Sequence, residues 1–283
     1  MLKYALLAAS AAVIAVPAAA QDETAPDRPF EGFYVGGTFG LDSSDTDDSD
    51  GFVFDTNRDG SFNNTVVTTT GANAFSPGSC GGTANGVRPS AGCTDDNDDY
   101  AYSVRVGYDT RLGDSGLFVA GILAEATKHE STDSVTAFST TPASYTIVRG
   151  LDHSFAARGR LGISPGSDAR GLFYVTGGVA YGKLEHAFFT SNTANTFTQV
   201  DDDDYQLGGQ IGGGAELYIL PNVSIGLEYL YNSFDDEDYY VDVGRGTAPA
   251  TNPFLLNGGG TFLRASEQSF DFHSFKVGVN FRF

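Results

Sequence analysis

Tryptophan is absent from this 283-residue sequence, methionine occurs once, and cysteine occurs twice, at Cys80 and Cys93. Positive charge is also scarce, with 16 Lys and Arg against 36 Asp and Glu and a formal net charge of −20. That balance excludes nucleic acid as a natural partner, because such binding rests on neutralising phosphates with Lys and Arg. Beyond the first twenty residues no apolar run approaches the roughly 20 residues that a membrane-spanning helix needs. Aromatic residues are not scarce: Phe and Tyr bring the share to 13%, which excludes a disordered acidic chain. Glycine, at 36 residues and without a collagen period, implies many positions where the backbone needs room.

The start has its own character. A basic Met1-Leu2-Lys3, an apolar run from Tyr4 to Val16, and Pro17-Ala18-Ala19-Ala20 before Gln21 read as a secretory signal over 1–20, cleaved after Ala20. Export places Cys80 and Cys93 in an oxidising compartment, where they are expected to form a disulfide. The short loop it closes would contribute about 3 kcal/mol on the chain-entropy view.

Past Phe30 the sequence alternates with period two, the pattern of strands whose faces meet different surroundings. In Tyr100 to Leu112, Tyr100, Tyr102, Val104, Val106 and Tyr108 alternate with Ala101, Ser103, Arg105, Gly107 and Asp109. Eight such segments are expected: Glu31 to Ser43, Asp99 to Leu112, Gly116 to Glu130, Asp152 to Ser164, Leu172 to Phe189, Asp204 to Leu220, Val223 to Phe234, and Glu267 to Phe283. Their second, fourth and sixth connections are short. The others are long and polar: Ser44 to Asp98, Ser131 to Leu151, Thr190 to Asp203 and Asp235 to Ser266. Strict alternation of short and long connections predicts an all-β fold, an eight-stranded antiparallel up-and-down transmembrane β-barrel with four long outer loops and three short periplasmic turns. Residues 21–30 then form a short periplasmic segment, and 31–283 form the barrel.

The polar faces place Arg105, Asp109, Glu125, Arg158, Arg160, Glu216, Glu228, Lys276 and Arg282 inside. An eight-stranded barrel is just wide enough for side chains to fill it, so these five cations and four anions are expected to pair as a lumen charge network. Outside, Tyr100, Tyr102, Tyr108, Tyr229, Tyr231, Phe281 and Phe283 supply the aromatic girdles without tryptophan. Gly212-Gly213-Gly214 reads as strand and not as a phosphate loop, since no helical pattern follows it.

The signal, the opening Gly32-Phe33-Tyr34-Val35-Gly36-Gly37, the eight segments and the terminal Lys276-Val277-Gly278-Val279-Asn280-Phe281-Arg282-Phe283 resemble the small outer-membrane β-barrel proteins of Gram-negative bacteria. The nearest groups are the OmpA-like, opacity-type and alphaproteobacterial porin-like surface proteins. The resemblance implies that Phe275, Val277, Val279, Phe281 and Phe283 act as the signal read by the outer-membrane assembly machinery. It implies outer-membrane lipid and lipopolysaccharide as surroundings, with the loops extracellular. Nothing follows Phe283, so the peptidoglycan-binding domain of OmpA-like proteins is not expected.

Nineteen of the 36 acidic residues lie in five runs in or beside the long connections, from Asp42 to Asp50, at Asp55 and Asp59, from Asp95 to Asp99, from Asp201 to Asp204 and from Asp235 to Asp238. They are expected to form a solvated rim that keeps the loops extended by self-repulsion. Asp55-Thr56-Asn57-Arg58-Asp59-Gly60 has the D-x-N-x-D-G spacing of a calcium loop, making Asp55, Asn57 and Asp59 a candidate weak Ca²⁺ site, although Val66 stands where a bidentate Glu is expected. No other cofactor is expected. His129, His153, His186 and His273 have no metal-ligand spacing, and the H-x-S-N run of lipid A deacylases is missing. The function expected is a non-enzymatic surface barrel serving envelope integrity and contact of its loops with an external ligand or host surface. A small-solute channel is the alternative, followed by a lipid-modifying enzyme.

Overall fold

The computed structural model describes residues 29–44, 50–96, 98–113, 116–166, 169–201 and 203–283. The expected signal over 1–20, most of the segment 21–30, and part of the acidic runs at 45–49 and 202 lie outside the described residues. Eight strands form the wall: β1 (Gly32–Ser44), β2 (Asp99–Leu112), β3 (Phe118–His129), β4 (Ala143–Ile163), β5 (Gly171–Thr190), β6 (Asp203–Leu220), β7 (Val223–Asp235) and β8 (Ser269–Arg282). Each pairs antiparallel with its chain neighbour, and β8 closes on β1 from Tyr34 opposite Arg282 to Ser44 opposite Phe272. The result is a closed up-and-down barrel, the sheet that leaves no edge unpaired in lipid.

Period two carries through to burial. Along β2 the residues Ala101, Ser103, Arg105, Gly107 and Asp109 are buried, while Tyr100, Tyr102, Val104, Val106 and Tyr108 are exposed. Val104, Ile122 and Leu227 are each more than 60% exposed, as a lipid-facing wall requires and a soluble protein would avoid. Inward glycines admit bulky neighbours. A Cβ at Gly208 would lie 2.6 Å from the Phe234 ring, and one at Gly214 would lie 2.6 Å from the Tyr174 hydroxyl.

Two expectations about the outer side need correction. Ser131 to Leu151 is not a loop: β4 begins at Ala143, and its outer part pairs with Thr132–Ser139 as a hairpin standing above the wall. Both faces of this hairpin are largely buried, which removes the alternation that marks a half-buried strand. Nor are the other long connections extended. Thr196–Val200, Tyr240–Gly244, Thr261–Ala265 and Phe52–Asp55 form a four-stranded antiparallel sheet, the outer sheet, drawn from three connections.

An apolar core explains why these segments fold against the repulsion of their acids. Phe54, Val241, Val243 and Leu263 from the outer sheet meet Val135, Tyr145 and Ile147 from the hairpin, with Phe75, Phe188 and Phe197 packed alongside. Burying such side chains contributes roughly 1.5–3 kcal/mol each, more than exposed like charges cost. Cys80 and Cys93 are bonded at the base of a finger that lies against the hairpin, where Cys80 stands opposite Thr136.

Candidate functional site

The lumen is filled in tiers, and every one of the nine expected charges is buried in it. At the end that carries the short turns Arg160 donates from Nε to Asp109 Oδ1 at 2.7 Å and from Nη1 to Glu216 Oε2 at 3.0 Å. Arg282 approaches Asp109 Oδ2 at 2.7 Å, and both guanidiniums lie 4.8 Å from the Tyr34 ring centroid. Phe30, fully buried, packs against Tyr218 with ring centroids 4.8 Å apart and closes this end together with Leu172.

The next tier is centred on two glutamates. Arg158 Nη2 donates to Glu228 Oε1 at 3.0 Å and lies 3.2 Å from Glu125 Oε1. Lys276 Nζ donates to Glu125 Oε1 at 2.9 Å, and Tyr174 donates to Glu228 Oε2 at 2.8 Å. Arg105 lies 3.7 Å from Glu228 and donates from Nε to Asn280 at 3.0 Å. Charges out of water persist where each finds a partner of opposite sign, and these bridge strands from all sides of the barrel.

Above them the structure assembles a group that the sequence does not announce. Asp42, expected in the solvated rim, is fully buried in the lumen, where Ser274 donates to its Oδ1 at 2.6 Å and His129 Nδ1 meets its Oδ2 at 2.5 Å. His129 Nε2 lies 2.9 Å from Ser154 Oγ. The chain continues the other way through Asn232 to Gln210, giving six linked side chains from β6, β7, β8, β1, β3 and β4. The signal available beforehand was parity, since Leu41 and Ser43 belong to the opposite face of β1.

Asp42, His129 and Ser154 stand in the order of a hydrolytic triad, yet the setting differs from a reaction site. Catalysis needs space beside the nucleophile for a reacting carbonyl. Ser154 is 1% exposed, and the imidazole packs edge-on to Phe272 with centroids 5.4 Å apart. A cavity of about 300 Å³ between β3, β4 and β5 is bordered by His129 but not by Ser154. His153 points outward and bonds Asp152 and Tyr205, so the adjacent His153 and Ser154 occupy opposite faces.

Leu151, Leu184, Phe234, Phe270 and Phe272 form an apolar layer above the polar chain. Over it lies Arg149, which donates from Nε to Asp133 at 2.7 Å, from Nη2 to Glu267 at 2.5 Å and from Nη1 to the Ser269 carbonyl at 2.8 Å. Asp236, 3.4 Å from the guanidinium, also meets His186 at 2.9 Å. Burial pushes the Arg149 pKa down, but Asp133, Asp236 and Glu267 push it further up, so the side chain stays charged. One cation thereby ties the hairpin to the last long connection.

The calcium-like segment closes as a turn around Asp55. Asp55 is fully buried and accepts from the Asp59 amide at 3.2 Å and the Gly60 amide at 2.8 Å. Asn57 donates to Asp59 Oδ2 at 2.9 Å, while Asp59 Oδ1 accepts from the Ser61 amide at 2.8 Å. Among the described residues no group of three or more His, Cys, Asp or Glu is placed to hold a metal ion. The residues expected to signal assembly, Phe275, Val277, Val279, Phe281 and Phe283, all lie on the exposed face of β8 or just beyond it.

A closed eight-stranded wall, a charged filled lumen and an apolar exterior coincide with a match over residues 6–283 to the family described as outer membrane protein beta-barrel domain. The chain belongs to that family. The 31 kDa outer-membrane immunogenic proteins of Brucella melitensis biotype 1 and Brucella suis biovar 1 are each 32% identical to it over 127 residues, 44% of this chain and 43% of theirs. The chain therefore spans less than half the length of these relatives. Among solved structures, the outer membrane protein OprG from Pseudomonas aeruginosa aligns over 90% of this chain and 99% of its own, at 12% identity and a TM-score of 0.45. Neisserial surface protein A aligns over 89% and 98%, at 10% identity and a TM-score of 0.36. As a member of the family, this barrel resides in the bacterial outer membrane.

Proposed function

We propose that this outer-membrane barrel is a non-enzymatic, non-conducting surface protein that supports envelope integrity and presents its folded outer sheet to external partners. The observation that carries this reading is the blocked lumen. Two tiers of paired charge, a chain of linked polar side chains and the fully buried rings of Phe234, Phe270 and Phe272 lie one above another across the lumen. Water-filled porins use about 16 strands, and eight leave room only for side chains. The apolar core beneath the outer sheet supports a presenting role, because it holds the outer segments in one conformation. The Brucella relatives are named as outer-membrane immunogenic proteins, which suits exposed structured loops. Outer-membrane lipid and lipopolysaccharide surround the wall on this reading, and the assembly machinery reads the exposed apolar row of β8.

Planar-bilayer recording of the refolded protein tests it. Absence of discrete openings is expected. Stepwise conductance at ordinary voltage would favour the channel reading. Replacing Phe234 and Phe272 together by Ala thins the block and should raise leak conductance above that of the parent.

A further inference from the structure

The calcium-like motif also positions an arginine. Its Asp55 turn holds Arg58 in the left-handed region at φ 59°, a conformation that a non-glycine residue rarely adopts. From there the guanidinium reaches across the solvent face of the outer sheet. It lies 4.8 Å from the centroid of Phe262 and bonds Asp242 at 2.5 Å. Arg264 approaches from the other side, 4.2 Å from the centroid of Phe62, and Tyr240 links the two rings, 4.9 Å from Phe262 and 6.3 Å from Phe62. Within the protein, Arg264 Nη1 donates to the Glu237 carbonyl at 2.7 Å, and Nε makes no hydrogen bond.

Three half-buried rings bracketed by two guanidiniums and one carboxylate form a surface suited to a sugar. The rings offer faces and edges to C–H groups, the guanidiniums donate, and Asp242 accepts from hydroxyls. Arg58 and Asp242 already bond each other, so a sugar's carboxylate and hydroxyls would share or exchange with that partly exposed pair, which an apolar peptide could not do. Charge specifies the sugar further. The four long connections hold only five basic residues, Arg58, Arg88, Arg149, Arg245 and Arg264, and Arg149 is consumed at the mouth. Two of the remaining four converge here, on a protein of net charge −20, and a guanidinium is the side chain that best matches a carboxylate.

We infer that the solvent face of the outer sheet, built from Arg58, Phe62, Tyr240, Asp242, Phe262 and Arg264, is a binding site for a carboxylate-bearing saccharide met outside the cell. This inference rests on the surface-barrel reading and names the class of partner.

Saturation-transfer NMR and calorimetry on the full chain refolded in detergent micelles test it, with 3′-sialyllactose and a glucuronate-terminated oligosaccharide as probes and lactose as the neutral control. Both acidic probes should bind at least tenfold more tightly than lactose. Arg264→Gln, which leaves the Asp55 turn untouched, should lower acidic binding about tenfold. Phe262→Ala should weaken binding of acidic and neutral sugars alike. Heat-modifiable migration on gels serves as the folding control, and Arg58→Gln provides a second variant should either of these fail to refold. Equal binding of lactose, unchanged binding in folded Arg264→Gln and Arg58→Gln, or binding only of the purified lipopolysaccharide of the same membrane would each overturn the inference. Conductance is read separately, so a negative sugar result with a silent bilayer rejects the site and leaves the barrel's proposed role standing.

Discussion

At the scale of single residues, the lumen shows how little room a buried charge has to lose its partner. Asp109 faces Arg160 and Arg282 together. Asp109→Asn keeps the volume but leaves two guanidiniums to share Glu216, and the cost expected for breaking such a buried group is about 3–5 kcal/mol. Urea unfolding in lipid vesicles should register it as a lower midpoint, whereas Asp242→Asn, on a partly exposed pair, should shift it by less than about 1 kcal/mol. Asp50 responds to pH in the opposite sense to an ordinary paired carboxylate. Burial and the nearby Glu267 raise its pKa to about 6. Between roughly pH 4 and 6 the folded state therefore keeps a proton that the unfolded chain has released. The mouth should tighten as pH falls through 6 and loosen as it rises, by about 1 kcal/mol after allowance for solvent screening. The groups facing this region are Arg149, Asp133, Asp236, Glu267 and His186. Protease cleavage of the outer connections at pH 5 and pH 7 checks the sign, and Asp50→Asn should remove Asp50's contribution to the difference.

At the scale of elements, the wall was readable and the outer sheet was not, for the same physical reason. A strand between lipid and a polar lumen alternates strongly over nine or more residues, as Tyr100 to Asp109 does. Val241 and Val243, or Leu263 and Ala265, alternate too, but over five residues inside a polar connection, a length at which the pattern is lost among loop composition. Asp42 lies at a strand end inside an acidic run, where charge composition masks the parity that turns it into the lumen. The D-x-N-x-D-G spacing encodes a turn in which Asp55 accepts from the Asp59 and Gly60 amides. If the outer sheet is a folding unit supported by the barrel, Leu263→Asp should unfold it alone. Leu263 is fully buried against Val241 and Phe54, and a charge there has no partner in that apolar core. New protease sites should open within residues 236–266 while heat-modifiable migration of the barrel persists; loss of both together would mean that sheet and barrel fold as one.

At the scale of the whole molecule, the solvent on the two sides of the wall is inverted relative to a soluble barrel, and β8 carries the consequence most sharply. Its neighbours Lys276 and Val277 are of opposite character and point in opposite directions, Lys276 to Glu125 in the lumen and Val277, 56% exposed, to lipid between Phe39 and Leu227. Exchanging the environments of these two residues separates lumen energetics from lipid energetics. Val277→Arg puts a charge on the lipid face and should cost roughly 2–4 kcal/mol if that position lies near the bilayer midplane, falling toward zero if it lies near an interface. Lys276→Met removes the amine and leaves Glu125 with Arg158 as its remaining close cation, a loss that should be insensitive to bilayer thickness. Measuring both variants in vesicles of shorter and longer acyl chains therefore locates the wall in the membrane. The Val277→Arg penalty should grow as the bilayer thickens around it, while the Lys276→Met penalty stays constant. A thickness-independent Val277→Arg penalty would mean that the exposed apolar band is not where the lipid sits.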